Sequence, residues 1–145
     1  GRFEQFKLKN KNHVIVDYAH SPDAFKNILS NIKDLATKDI ITIFGCGGGR
    51  DKTKRPQMAI VAEEYSNFVY ITNDNPRFED EDSIIKDIIS GFDKNEYSII
   101  KNRTEALHKI KHYHCPVDWD LLKSLFRRPF LFPLYIQALV YQYYC

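Results

Sequence analysis

Cysteine is scarce in this chain of 145 residues, and the three present (Cys46, Cys115, Cys145) are odd in number and never spaced as CxxC. That argues against a disulfide framework and a structural zinc site, and fits the reducing cytoplasm. Charge of one sign is lacking too. Twenty-one Lys and Arg against 19 Asp and Glu leave a net charge of +2, too weak a field to imply nucleic acid as a partner, so electrostatic arguments rest on local clusters. The long apolar stretch, Pro129 to Val140, is too short and too proline-broken to span a bilayer, and no signal peptide is read at the start. There is no internal repeat and no low-complexity linker. Neither GxGxxG nor GxxxxGK[ST] occurs, which excludes a dinucleotide fingerprint and a Walker loop. What remains is ordinary for one soluble globular domain with a real core: 43% hydrophobic and 28% charged residues.

Glycine is also sparse, with six residues in all, but Ile40 to Arg55, IITIFGCGGGRDKTKR, concentrates it. Five apolar or β-branched residues run into Gly45-Cys46-Gly47-Gly48-Gly49 and then into Arg50, Lys52, Lys54 and Arg55. A buried strand opening into glycines brings bare backbone up to a ligand, because residues without Cβ reach positive φ and let N–H groups converge on an anion. The basic residues beyond suit a carboxylate or phosphate. A tight strand-to-helix turn is the plainer reading of the same stretch.

Around this unit the chain alternates strand and helix. Arg2 to Leu8 alternates weakly, and HVIVDY (His13 to Tyr18) has the continuous apolar character of a strand buried on both faces. Ser21-Pro22-Asp23 reads as a helix start, followed by Phe25, Ile28, Leu29, Ile32 and Leu35 at helical spacing. After strand Ile40 to Phe44 come a helix from Pro56 to Glu64, a strand Phe68 to Thr72, a helix Asp80 to Ile89 stopped near Gly91, a strand Tyr97 to Ile100 and a helix Arg103 to His112. This rhythm predicts an α/β fold: a Rossmann-like, mostly parallel sheet with helices on both faces. Ligands sit beyond the carboxyl ends of such strands. The polar clusters DYAH, GCGGGRD and NDNPR all fall there.

Near Cys115 the character changes. Residues 115–145 hold eight of the 20 aromatics and no glycine, with Arg127-Arg128-Pro129 and Phe132-Pro133 as breaks. Helices are expected over Trp119 to Phe126 and Leu134 to Tyr144, within a helical or poorly ordered aromatic tail.

Gly1-Arg2-Phe3-Glu4, VDYAHSPDA (Val16 to Ala24), FGCGGGRDKTKRP (Phe44 to Pro56), TNDNPRFED (Thr72 to Asp80) and the weaker Arg103-Thr104-Glu105-Ala106, in this order, resemble the C-terminal domain of the Mur ligases, and in particular its diaminopimelate-adding members. These are ATP-dependent amide-bond synthetases of peptidoglycan precursor assembly. The resemblance covers about residues 1 to 112, implying a family domain over 1–114 and a non-matching tail over 115–145. It implies the amino-acid-accepting part of an enzyme that phosphorylates a carboxylate of UDP-MurNAc-L-Ala-D-Glu with ATP and lets meso-diaminopimelate attack the acyl phosphate. Arg50 and Arg77 would pair with the distal carboxylate, Asn75 would donate and accept, and Asp74 would hold the loop or balance the ammonium. Lysine-adding relatives lack this arginine, so substrate choice is read at Arg77. Arg2, Asp17, Tyr18 and His20 would line the nucleotide side. ATP and Mg2+ would be held mainly by domains outside these residues. Two departures stand out: Gly49 replaces the family's usual Asp, and the strand with its GKGHE motif expected after the fourth helix is missing. The alternatives are a truncated or frame-disrupted non-catalytic chain, or a lysine-adding relative.

Blander roles accompany several of these residues. Asp17 and His20 are also strand-end or capping types. Lys52, Lys54 and Arg55 also suit a solvated helix start. Cys46 reads as a small buried residue rather than a nucleophile. His108, His112 and His114 read as a wet helix face, with no metal expected.

Overall fold

The computed structural model describes residues 3–7, 13–36, 39–94, 96–114 and 138–142. The elements are β1 (Glu4–Lys7), β2 (His13–Asp17), α1 (Pro22–Leu35), β3 (Ile40–Phe44), α2 (Lys54–Tyr65), β4 (Phe68–Ile71), α3 (Glu81–Ile89), β5 (Tyr97–Ile99), α4 (Arg103–His114) and β6 (Ala138–Gln142). They form an α/β fold around one sheet of six strands, ordered β1-β2-β6-β3-β4-β5.

β3 pairs parallel with β4, and β4 with β5. β6 pairs antiparallel with both β2 and β3, so β2 runs in the direction of β3, β4 and β5. These four strands therefore share one carboxyl edge. Each crossover between them advances the same way across the sheet, and the single hand of such connections puts α1, α2 and α3 side by side on one face. Ser21 starts α1 by accepting from the Ala24 N–H at 3.3 Å, with Pro22 at the first helical position. Phe25, Leu29 and Ile32 from α1, Met58, Ala59 and Ala62 from α2, and Ile84, Ile85 and Ile88 from α3 meet Ile15, Ile40, Phe44, Val69 and Ile71 of the sheet in one core. Leu35, expected on the buried stripe, is 73% exposed at the last turn of α1. The alternate strand positions Val14, Val16, Ile41, Ile43 and Tyr70 are buried toward the opposite face. There Glu105 and Lys109 of α4 share a hollow with Phe68 and Tyr70, which places α4 on the side opposite α1, α2 and α3.

The C-terminal stretch corrects the sequence reading. Leu134 to Tyr144 is expected to be helical, yet Ala138–Gln142 is a strand. Val140 sits opposite Ile15 on one side and Thr42 on the other. β2 and β3 come from a crossover that leaves a slot one strand wide between them, and backbone groups bordering that slot need partners. A short apolar run does not by itself distinguish strand from helix; the slot decides it. The helix expected at Trp119 to Phe126 lies outside the described residues.

Candidate active site at the carboxyl edge

β2, β3 and β4 all end at the same edge, and the loops that leave them enclose a hollow of about 270 Å³. The glycine loop after β3 and the Asn-Asp-Asn-Pro-Arg loop after β4 are bonded to one another. The Gly48 N–H donates to the Asn75 carbonyl at 2.9 Å, and the Arg77 guanidinium donates back to the Gly48 carbonyl. The Gly49 N–H donates to Glu79 Oε1 at 2.6 Å. Close approach requires glycine here: a Cβ at Gly48 would overlap the Pro76 carbonyl, and Gly49 has a φ of +63° with Arg77 Cδ pressed against it. Arg77 itself holds a φ of +52°, supported by its N–H bond to Asn75 Oδ1 at 3.1 Å. Positive φ at a non-glycine residue costs free energy that the surrounding bonds must offset, a frequent feature of ligand-gripping loops.

Arg50, Asp74, Asn75 and Arg77 all line the hollow, and Tyr18 and His20 line it from the β2 side. The Tyr18 and His20 rings lie 5.2 Å apart between centroids, and His20 Nδ1 is 3.3 Å from the Tyr18 carbonyl oxygen. Among the described residues, Arg50 has no hydrogen-bond or ion-pair partner, which leaves its donors facing the opening. Asp74 is different. Its side chain is only 4% exposed and lies 3.7 Å from the Arg103 guanidinium, so it forms a wall of the hollow as much as a contact surface. Asp17 is not brought into the hollow: its carboxylate accepts the Phe3 N–H, fastening β1 to the end of β2. Arg2 lies outside the described residues.

Three residues hold this arrangement together: Arg55, which the sequence offers as an anion-binding cation or a solvated helix start, and Glu79 and Arg103, to which the sequence analysis assigns no site role. Arg55 is 1% exposed rather than solvated. It bonds Asp87 at 2.8 Å and the Gly47 carbonyl at 3.3 Å, and pairs with Glu79 at 3.0 Å. Burial opposes its charge, but Asp87 and Glu79 outweigh that and raise its pKa further. A signal was available in the spacing: Arg55, Met58, Ala59 and Ala62 stand at i, i+3, i+4 and i+7 on one helix face, and all are buried. Lys52 is 62% exposed and pairs with Glu79 at 3.4 Å; Lys54 borders the hollow. Glu79 has its carboxyl held below the usual value, first by the Gly49 N–H and then by Arg55. Arg103 reaches back to the Asn73 carbonyl at 3.1 Å. Burial lowers its pKa, and Asp74 opposes that shift.

Cys46 is buried at the floor of the hollow, and burial pushes its thiol pKa up to about 12. Almost none of it is thiolate near neutrality, so it is no nucleophile. Among the described residues no group of three or more His, Cys, Asp or Glu is placed to hold a metal ion, and no helix is long and apolar enough to cross a membrane.

The chain that locks two strand-end loops around this arginine-lined hollow belongs to the Mur ligase family: its residues 1–124 match that family at its glutamate ligase domain. Among its relatives is the UDP-N-acetylmuramoyl-L-alanyl-D-glutamate–2,6-diaminopimelate ligase of Syntrophomonas wolfei, 49% identical over 115 residues that cover 77% of this chain and 24% of that protein. The ligase of the same name from Buchnera aphidicola subsp. Baizongia pistaciae is 51% identical over 109 residues, 74% of this chain and 22% of its own. A solved diaminopimelate ligase of that name superposes with a TM-score of 0.71 at 36% identity, covering 78% of this chain and 23% of its own. Folylpolyglutamate synthase from Thermotoga maritima (TM-score 0.57, 22% identity, 74% of this chain and 25% of that one) shares the fold. The chain thus spans about a quarter of the length of the relatives it matches.

Proposed function

We propose that this chain is the amino-acid-accepting domain of an ATP-dependent ligase that adds meso-diaminopimelate to UDP-MurNAc-L-Ala-D-Glu in the cytoplasm, during peptidoglycan precursor synthesis. The observation that carries the proposal is the delivery of Arg50 and Arg77, from two different strands, to one hollow that also holds Asp74 and Asn75. A diamino diacid presents a carboxylate and an ammonium at its far end. The two planar guanidinium forks match the carboxylate, and Asn75 and Asp74 are the acceptors for the ammonium. Lysine has no distal carboxylate and leaves the arginines unmatched, with a corresponding loss of affinity. Gripping the far end leaves the near amine presented to an acyl phosphate.

Tyr18 and His20 line the hollow from the β2 side, the side we assign to the nucleotide; the family resemblance alone adds Arg2 and Asp17. No phosphate-cradling GxxxxGK[ST] run occurs in the sequence. In this reading ATP and its Mg2+ are held mainly by the rest of the ligase.

Calorimetric titration of the chain with meso-diaminopimelate and with L-lysine tests the assignment. The expected result is a preference for diaminopimelate that Arg77→Ala reduces by roughly ten- to a hundred-fold, the scale of one charge-assisted carboxylate contact. An unchanged preference in the variant would remove Arg77 from substrate choice.

A further inference from the structure

Arg50 is placed by backbone alone. It follows Gly47, Gly48 and Gly49, the most permissive backbone in the chain, and its side chain is anchored by none of the described residues. A grip shared by two arginines on one carboxylate nevertheless demands placement to within about 0.5 Å. Arg55 and Arg77 hold the Gly47 and Gly48 carbonyls; at Gly49, next to Arg50, the side chain among the described residues that holds the loop is Glu79. Glu79 stands two residues past Arg77 and does not line the hollow. Its Oε1 accepts the N–H of Gly49, the residue before Arg50, at 2.6 Å. Its Oε2 lies 3.0 Å from Arg55 Nη2 and 3.4 Å from Lys52 Nζ. Arg55 is in turn fixed by Asp87 of α3 at 2.8 Å and itself holds the Gly47 carbonyl at 3.3 Å. A line of contacts therefore runs from α3 through Arg55 and Glu79 to the backbone on which Arg50 is mounted.

We propose that Glu79, braced by Arg55, is a positioning residue that sets the distance between Arg50 and Arg77 and thereby the preference for a ligand with a distal carboxylate. This rests on the proposed function above. It makes a demand that a purely structural role does not: loosening the clasp weakens diaminopimelate binding and spares lysine, which has no carboxylate for the two arginines to share.

Glu79→Ala and Glu79→Gln are compared with the unaltered chain by titration with both amino acids, with the Gly49 amide followed by 15N NMR. For Glu79→Ala the expected loss of diaminopimelate affinity is about ten-fold, the worth of one charge-assisted hydrogen bond, with lysine moved less than about two-fold and the Gly49 amide shifted and exchange-labile. Glu79→Gln keeps an acceptor for Gly49 but loses the pull of Arg55, and is expected to lose about three-fold. Equal weakening of both ligands would mean general loosening and overturn the proposal. So would an intact preference once the Gly49 amide is freed. Should the alanine variant fail to fold by circular dichroism, the glutamine variant decides, and an undiminished preference there overturns it. An unaltered chain with no preference for diaminopimelate over lysine would instead reject the functional reading, and the clasp with it.

Discussion

At the scale of single residues, the site depends on a few side chains whose surroundings set their charge and reach. Glu79 shows how. Its carboxyl is held below the ordinary value of 4.5, chiefly by the Gly49 N–H and also by Arg55. A group whose folded pKa is depressed contributes stability above its unfolded pKa and loses that contribution as pH falls through the folded value. Acid should therefore release the glycine loop. The expected outcome is that urea midpoints of the unaltered chain and of Glu79→Gln differ at pH 7 and converge on acidification through the region below 4.5, because glutamine has no proton to take up. A difference that persists unchanged to the acid side would show that the Glu79 charge plays no part in the clasp. Asp51, also lowered by its bonds from Thr53, titrates in both proteins and cancels in the comparison. Gly49 belongs to this scale as well. Its φ of +63°, with Arg77 Cδ 3.2 Å from where a Cβ would stand, strains any residue that carries a side chain there.

At the scale of elements, β6 is the least expected part and the one with the largest structural consequence. β2 ends in the loop bearing Tyr18 and His20, and β3 ends in the glycine loop. These strands are joined through β6 and do not pair directly. The hydrogen-bonded continuity of the sheet, and so the separation of the two sides of the hollow, passes through five residues, Ala138–Gln142. Val140→Pro would delete an amide from the middle of that ladder, between Ile15 and Thr42, at a cost of about 3 kcal/mol or more. A matching fall in the urea-unfolding free energy is expected, with amide exchange quickened in β2 and β3 ahead of β5. Unaltered protection at Ile15 and Thr42 would mean that the sheet closes without β6.

At the scale of the whole molecule, the hollow lies open on the edge of a domain that spans about a quarter of the length of its relatives. Bringing an amine and an acyl phosphate together is an effect of shared binding, worth about 7–11 kcal/mol when both partners are held in register. In the function proposed above, the chain supplies the amine side. Incubated with ATP, UDP-MurNAc-L-Ala-D-Glu and meso-diaminopimelate, these 145 residues are expected to release phosphate only at the background rate, as read by a coupled phosphate assay. Turnover above background would place a nucleotide site within this chain and revise the division of labour proposed here.

Most of the fold was legible locally. The strand cores His13–Asp17 and Ile40–Phe44, the cap at Ser21 and the helix beginning after Asp80 follow from apolar runs and capping chemistry that involve only neighbours in the chain. So did the loops at the carboxyl edge, because glycine runs and Asn-Pro turns announce themselves. Arg55 was not legible as a buried clamp, since its burial depends on Glu79 and Asp87, which lie 24 and 32 positions further along the chain. β6 was not legible as a strand either, because five apolar and polar residues take whichever form the neighbouring backbone requires. The amino-acid order by itself determined which residues form the sheet edge and which carry charge. Only the tertiary structure decided what those charges face, because a buried ion pair or a filled strand slot depends on surfaces that meet only once the chain has closed on itself.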